Sequence, residues 1–371
     1  MKLNKIHTAV LISLLPSASV FAAGLDRSGQ SISAFLQPGN YAEAGISVLD
    51  PEVKGKDKSG NNVSDMGDDY YFPSAAVKVQ ATDKISVGLL YDQPFGADAQ
   101  YESKLGAFGN GIDGTGVEVK THNITALIGY QPTENWNFYA GPVYQTVEAD
   151  ISLRGATYSI LSGYNIKVDQ EEAYGWLAGF AYQIPEIAMK AAVTYRSEIE
   201  HNAVSTEFHP LLGTVVSEVQ AVTPQSVNVD LQTGIAQNTL AFANIRWVHW
   251  DNFAVKPTLL GSRGQNLIDY SDDQWSATVG LGHKFTNKWS GTAAVGYDSG
   301  AGNPVTTLGP TEGYWNVGLG GQYSPAENYF IQAGVKYFWL GDATAQTGGN
   351  PVGEFEDNHA IGYGMKIGYR F

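Results

Sequence analysis

The last twelve residues, Ala360 to Phe371, read AIGYGMKIGYRF. In an extended chain Ile361, Tyr363, Met365, Ile367, Tyr369 and Phe371 share one face, and Ala360, Gly362, Gly364, Lys366, Gly368 and Arg370 share the other, because successive strand side chains point to opposite sides. A fully apolar face against one of glycines and cations, ending on an aromatic at the C-terminus, suits a strand with lipid outside and a polar lumen inside. A half-buried strand of a soluble sandwich has the same period. The choice therefore passes to the other strands.

Three more runs repeat the pattern. Trp289, Ala293, Val295 and Tyr297 oppose Ser290, Thr292, Ala294 and Asp298; Ile331, Ala333, Val335, Tyr337 and Trp339 oppose Phe330, Gln332, Gly334 and Lys336; Ala191, Val193 and Tyr195 oppose Lys190, Thr194, Arg196 and Glu198. Similar runs fall near 42–53, 70–80, 85–101, 117–130, 136–154, 173–184, 223–235, 240–253, 268–286 and 311–324. That makes about 14 strands, many long enough for a tilted membrane crossing of about 9 to 11 residues. Tight turns at 81–84, 132–135, 185–188, 236–239, 286–288 and 325–328 alternate with longer segments near 54–69, 102–116, 156–172, 206–222, 254–267, 301–310 and 346–357. Both chain ends then lie on the short-turn side, as in barrels with short periplasmic turns and long external loops. The eight tryptophans, several beside turns as Trp136 and Trp289 are, fit an aromatic girdle. The expected fold is all-β: a transmembrane antiparallel barrel of about 14 strands over 41–371, with a short N-terminal plug.

The start of the chain gives the address. Lys2 and Lys5, an apolar run from Ala9 to Leu15, and Val20-Phe21-Ala22 have the layout of an export signal over 1–22. The expected destination is the bacterial outer membrane. The formal charge is −15, or −17 once Lys2 and Lys5 are removed, and such acidity argues against a nucleic-acid partner. Cysteine is absent, which excludes disulfides, thiol chemistry and thiolate-bound metal. Outer-membrane lipid and a hydrophobic small molecule are the expected partners, no cofactor or metal is expected, and the barrel is expected to be a monomer. Residues 23–40, AGLDRSGQSISAFLQPGN, precede the first strand. They form the candidate plug, with a disordered tail as the alternative.

With the outer face set by the aromatics, Leu90, Leu127, Tyr139, Val143, Leu177, Phe338 and Leu340 fall on the inner phase. An apolar inner lining points to apolar cargo, whereas a diffusion porin keeps a polar, water-filled interior. Arg154, Arg196, Arg246 and Lys336 are the inner cations that match an anionic headgroup, since a guanidinium clamps a carboxylate through two hydrogen bonds. The stretch Ile85 to Tyr101 begins as a clean strand and is broken by Pro94 and Gly96. A closed barrel has no edge, so the break leaves a gap in the ladder that must be covered or line a cavity. Gln93, Pro94, Phe95 and Gly96, with Leu90, Phe338 and Leu340, are the candidate ligand path and lateral opening.

Several segments resemble the family of outer-membrane long-chain fatty acid transporters, which includes channels for aromatic hydrocarbons. They are the Ala23-Gly24-Leu25 start, YAEAGISVLDPEVKG (41–55), YGWLAGFAY (174–182), TYRSEI (194–199), WVHWDNF (247–253), YDSGAGNPV (297–305), and the Trp315 strand with its Pro325 turn. The resemblance spans nearly the whole chain after the signal. It implies a fourteen-stranded barrel plugged by an N-terminal hatch, with an inward kink in the third strand through which cargo leaves sideways, and no enzyme. Two features depart from the family: the pre-barrel segment is short, with Gln37-Pro38-Gly39-Asn40 where an Asn-Pro-Ala turn is usual, and the loops after the fifth and seventh strands are short.

The expected function is passive uptake of long-chain fatty acids or similar hydrophobic compounds. The alternative is a porin for polar solutes or a structural barrel. A hydrolase needs a nucleophile, a base and an orienting group. Six histidines (122, 201, 209, 249, 283 and 359) are candidate bases, yet no Gly-x-Ser-x-Gly elbow accompanies them.

Overall fold

The computed structural model describes residues 25–251, 253–262 and 266–371. The expected export signal, 1–22, lies outside the described residues.

Fourteen antiparallel staves close into one barrel. In chain order they are β1 (Tyr41–Glu52), β2 (Tyr70–Gln80), β3 (Ile85–Asp92, resuming as Gly96–Gln100), β4 (Gly116–Tyr130), β5 (Trp136–Ser152), β6 (Asn165–Ile184) and β7 (Met189–Arg196, then Ile199–His209). The remainder are β8 (Gly213–Thr223, then Ser226–Ala236), β9 (Thr239–Val248), β10 (Gln274–Lys284), β11 (Trp289–Asp298), β12 (Tyr314–Ala326), β13 (Tyr329–Leu340) and β14 (His359–Arg370). Pairing of β1 with β14, from Tyr41↔Arg370 to Glu52↔His359, closes the ring. Closure removes the two free edges that an open sheet would leave unpaired in lipid.

The outer face is the one the alternation requires. Ile361, Tyr363, Met365, Ile367, Tyr369 and Phe371 are all exposed, whereas Ala360 is fully buried and Lys366 nearly so. Six of the tryptophans (Trp136, Trp176, Trp275, Trp289, Trp315 and Trp339) are exposed on the outer wall. Trp250 departs from the expected girdle: it is buried inside, and its indole N–H donates to Gln274 Oε1 at 2.8 Å. Its place just past the end of β9 lets the chain turn inward there.

Two expected loops are instead strand. β6 begins at Asn165, and the segment near 206–222 is the top of a long hairpin, β7 to β8, turning over 210–212. The pairs Ser205↔Val168 to Phe208↔Asn165 continue the register of the lower β6–β7 ladder. Every second residue from Ile199 to His209 is buried, but that buried face carries His201, Ser205, Glu207 and His209. A polar inner face conceals a strand from a reading based on apolar alternation.

The half of the barrel nearer the long loops holds the larger apolar core, with a cavity of about 370 Å³ among Leu153, Tyr158, Leu161 and Leu260. Leu49, Tyr70, Phe72, Phe108, Tyr158, Tyr164, Phe338 and Phe355 belong to that one buried cluster. A small sheet built from loop segments, including Ala343–Thr347 and Asn350–Phe355, lies outside the barrel ladder. The lower half holds a smaller cluster in which Phe35, from the segment before β1, meets Leu127, Tyr139, Val143 and Leu177 of the wall.

Candidate functional site

β3 stops at Asp92 and restarts at Gly96. On the β4 side the ladder runs to Asp92↔Asn123 and resumes at Gly96↔Lys120. Three residues of β3, Gln93 to Phe95, thus stand opposite two of β4, Thr121 and His122. Pro94 has no N–H to offer, and the Thr121 hydroxyl takes over locally. It accepts from the Phe95 N–H at 3.0 Å and donates to the Phe95 carbonyl at 2.6 Å. Phe95 is turned inward and buried, edge-on to Trp250 with ring centroids 5.7 Å apart. Leu25, Phe253 and Tyr270 pack against this pair in one apolar cluster.

On the β2 side the break is wider. Pairing ends at Ala75↔Tyr91 and resumes with the Gly67↔Ala99 bridge and the Asp68 N–H donating to the Asp98 carbonyl at 3.3 Å. Ladder pairing is absent between 69–74 and 92–97, a stretch that includes a proline on each side, Pro73 and Pro94. Tyr70 leans across it: a Cβ added to Gly96 would overlap the Tyr70 hydroxyl oxygen. β6 and β7 also separate, above Leu177↔Arg196. There Ile199 lies against Gly175, and Trp176 and Ser197 exchange two hydrogen bonds.

Behind the β2–β3 break lies a cavity of about 80 Å³, lined by Pro73, Ser74, Leu90, Tyr91, Asp92 and Arg196 among others. That is far below the roughly 300–1,000 Å³ of ordinary small-molecule sites. Residues 28–34 supply part of its wall through Ser28, Gln30, Ser31, Ser33 and Ala34, and the ion-paired Glu43 and Lys366 lie on it as well.

The segment before β1 is tied to the break by its backbone. The Arg27 N–H donates to the Pro94 carbonyl at 2.7 Å, and the Gly96 N–H donates to the Leu25 carbonyl at 2.8 Å. These bonds satisfy main-chain groups that β2 leaves unpaired. Ser28 donates its hydroxyl to Asp92 Oδ2 at 2.5 Å. Phe35 fits over Gly88 and Gly129, where a Cβ would stand 2.7 and 3.0 Å from its ring atoms. Lys190 donates to the Leu36 carbonyl and Lys78 to the Gln37 carbonyl, at 2.8 and 2.9 Å.

The strongest tie is ionic. Arg246 Nε donates to Asp26 Oδ2 at 2.8 Å and Arg246 Nη2 to Asp26 Oδ1 at 3.1 Å, a bidentate pair with both side chains almost wholly buried. The same guanidinium reaches Asn228 Oδ1 at 2.7 Å and Gln30 Oε1 at 3.0 Å. Removing one member of such a pair leaves a buried charge, which typically costs about 3–5 kcal/mol. Arg196 stands beside it, donating to Asn228 Oδ1 at 3.3 Å and to the Gln30 carbonyl. Among the described residues no carboxylate forms an ion pair with Arg196. Arg27 lies 5.7 Å from the Tyr70 ring centroid and donates to the Asp26 carbonyl.

The structure gathers some of the residues singled out from the sequence and separates others. Leu90, Gln93, Pro94, Phe95, Gly96, Arg196 and Arg246 all stand around the break or the ionic cluster beside it. Phe338 and Leu340 are buried in the cluster near the long loops, Phe338 edge-on to Tyr314 at 5.2 Å. Lys336 lies on the inner face of β13, against Gly318 of β12. Arg154 follows β5, and its guanidinium donates to the Leu153 and Tyr164 carbonyls and Asn165 Oδ1 and pairs with Asp113 at 4.0 Å. Asp26, Gln30, Tyr70, Thr121 and Trp250 belong to the site and were not singled out. One signal was present: Asp26 and Arg27 are the only charged residues of 23–40. His249 pairs with Asp273 at 2.8 Å, but Trp247 donates to the same carboxylate and the group faces outward, half-exposed.

A closed fourteen-stave barrel, apolar outside and with its third wall strand interrupted against an N-terminal segment, has the architecture of an outer-membrane barrel. Its sequence matches, over residues 31–371, the family model described as outer membrane protein transport protein (OMPP1/FadL/TodX). The chain belongs to this family of outer-membrane transporters of hydrophobic compounds, which are channels and not enzymes. Among solved structures it is similar to a Pseudomonas aeruginosa FadL homologue, with a TM-score of 0.73 at 15% identity over 91% of this chain and 92% of that one. The toluene transporter TodX of P. putida gives 0.65 at 14% identity, covering 95% and 99%. The toluene transporter TbuX of Ralstonia pickettii gives 0.63 at 13%, covering 91% of each. A comparison with curated proteins finds no match.

Proposed function

We propose that this barrel takes up long-chain fatty acids or similar hydrophobic compounds passively, releasing them sideways into the membrane between β2 and β3. Residues 1–22 serve as a cleaved export signal, 23–40 as the plug, and 41–371 as the barrel. The observation that carries the reading is the unpaired stretch between 69–74 and 92–97, backed by a cavity that Arg196 and residues 28–34 line. In a bilayer, unpaired backbone is tolerated only where protein covers it or a cavity lies behind it. Phe95 and Leu90 supply apolar surface on this path, and Arg196 and Arg246 supply charge for a headgroup. Lys336 is a further cation on the inner face, and Phe338 and Leu340 line the route from outside. The cavity is too small for cargo with the plug in place, so passage requires residues 25–40 to shift. The toluene transporters among its structural relatives support a hydrophobic cargo.

The test is uptake of labelled oleate and of toluene by cells lacking their own transporter. Expression of the chain is expected to restore uptake of at least one. Pro73→Thr with Pro94→Thr returns an N–H donor to each side of the break and is expected to slow uptake. Normal barrel assembly without uptake of either compound overturns the reading.

A further inference from the structure

We infer that the barrel has a second lateral opening, between β6 and β7, which the upper hairpin 199–223 closes as a hinged flap, and that it passes amphiphiles whose headgroup carries a hydroxyl. The inference rests on the transport reading above and adds to it a second route with its own cargo class.

The first observation is a hinge. β7 stops at Arg196 and restarts at Ile199, and β8 stops at Thr223 and restarts at Ser226. The pairs Arg196↔Ser226 and Ile199↔Thr223 keep one register, so the two interruptions, Ser197-Glu198 and Pro224-Gln225, stand opposite each other. Pro224 has no N–H with which to bridge them. Two neighbouring strands interrupted at one height form a line across which the hairpin can bend.

The second is how little holds the flap at its sides. Towards β6 the ladder ends at Arg196↔Leu177 and reappears only from Ser205↔Val168 to Phe208↔Asn165, four pairs near the tip. The seam between 169–176 and 197–204 has no ladder pair. Among the described residues, the only ladder of 213–223 is the one with 199–209. Trp176 and Tyr195, with ring centroids 5.2 Å apart, mark the outer aromatic row at the foot of the seam. Above them the outer face carries Glu198, Glu200 and Asn202, all exposed. The seam therefore meets the headgroup layer rather than hydrocarbon.

The third is a polar latch behind the seam. His201 Nε2 donates to Gln145 Oε1 at 2.8 Å, the Thr223 hydroxyl donates to the same oxygen at 2.6 Å, and Gln145 Nε2 donates to Asn123 Oδ1 at 2.8 Å. All four side chains are buried. Gln145 and Asn123 belong to β5 and β4, so an opening flap carries His201 and Thr223 away and leaves Gln145 Oε1 without a donor. A buried acceptor left bare is penalised. A hydroxyl headgroup returns a donor to Gln145 and an acceptor to His201, whereas a hydrocarbon returns neither and a carboxylate lacks the donor. Leu177 and Arg196, the last pair below the seam, also line the cavity behind the β2–β3 break, so the lumen reaches the foot of the second opening.

Lys167 and Thr206 are a ladder pair, both exposed, in a chain without cysteine. Directly opposed strand positions come close enough for a disulfide, so in Lys167→Cys with Thr206→Cys oxidation pins the flap to β6 and dithiothreitol frees it. In the Pro73→Thr, Pro94→Thr background, cells are expected to lose toluene uptake and keep dodecanol uptake, and oxidation is expected to cut the remaining dodecanol uptake at least fivefold, reversibly. Dodecanol uptake that oxidation leaves unchanged, or that is already lost in this background before oxidation, overturns the inference while transport between β2 and β3 stands. The flap has a second readout in the otherwise natural chain. Ala203 is buried on its inner face, and Ala192 on the lower part of the same strand. In lipid vesicles a maleimide is expected to label Ala203→Cys at least tenfold faster with dodecanol than with dodecane, and to leave Ala192→Cys unlabelled with either. Equal labelling of Ala203→Cys with the two compounds overturns the inference. Absence of all uptake by the parent barrel overturns the transport reading along with it.

Discussion

Gly96 shows what a single residue decides at the wall break. The Tyr70 hydroxyl occupies the space where a Gly96 side chain would stand, with two further Tyr70 ring atoms close by. Gly96→Ala therefore forces Tyr70 aside, with an overpacking cost of about 1–3 kcal/mol. Tyr70→Phe removes the oxygen that makes the closest contact, so the double variant is expected to recover part of the loss. Urea denaturation midpoints in lipid vesicles for the two single variants and the double one measure this coupling. Thr121 is the second such position. Thr121→Val keeps the shape but removes both hydrogen bonds to the Phe95 backbone. Each buried group left unsatisfied costs about 1–3 kcal/mol, and the same unfolding assay is expected to show a loss of that order.

At the scale of the element, β14 tests the assignment of faces. Met365 is half-exposed on the lipid side, between Tyr363 and Ile367. Met365→Arg places a charge in hydrocarbon and is expected to cost about 2–4 kcal/mol if it lies near the midplane. A folding equilibrium in vesicles that is unchanged by this substitution contradicts the register. β3 and β7 show where reading by alternation succeeds and where it fails. In β3 the proline and glycine are visible in the sequence, and the interruption falls at Gln93 to Phe95. In β7 the inner face above Arg196 carries His201, Ser205, Glu207 and His209 beside Ile199 and Ala203, so an apolar criterion ends the strand too early. Arg154, just past β5, donates to the Leu153 and Tyr164 carbonyls.

For the whole molecule, the external loops carry a pH dependence. Glu312, in the loop between β11 and β12, is half-buried and accepts from the Gly302 N–H at 3.0 Å. Burial is the main cause that pushes its carboxyl up to about 7 from 4.5, with the backbone hydrogen bonds opposing it. The folded loop then holds its proton more tightly than the unfolded chain does. Its stability is full below pH 4.5 and falls as pH rises toward about 7. Hydrogen exchange of residues 299–313 is expected to quicken between pH 5 and pH 7.5 relative to the barrel strands, and Glu312→Gln is expected to flatten the difference.

The sequence by itself determined the barrel. Fourteen runs with a period of two, short turns alternating with long connections, and an aromatic outer face admit few other arrangements, because a side-chain period is a local property of the backbone. The broken strand was legible for the same reason, since a proline removes a donor wherever it stands. Tertiary structure alone decided what meets the break. Asp26 and Arg246 are 220 residues apart, Phe95 finds Trp250, and Tyr70 closes over Gly96. Closure of the ring sets which strand faces which across the lumen, and no local period encodes that distance.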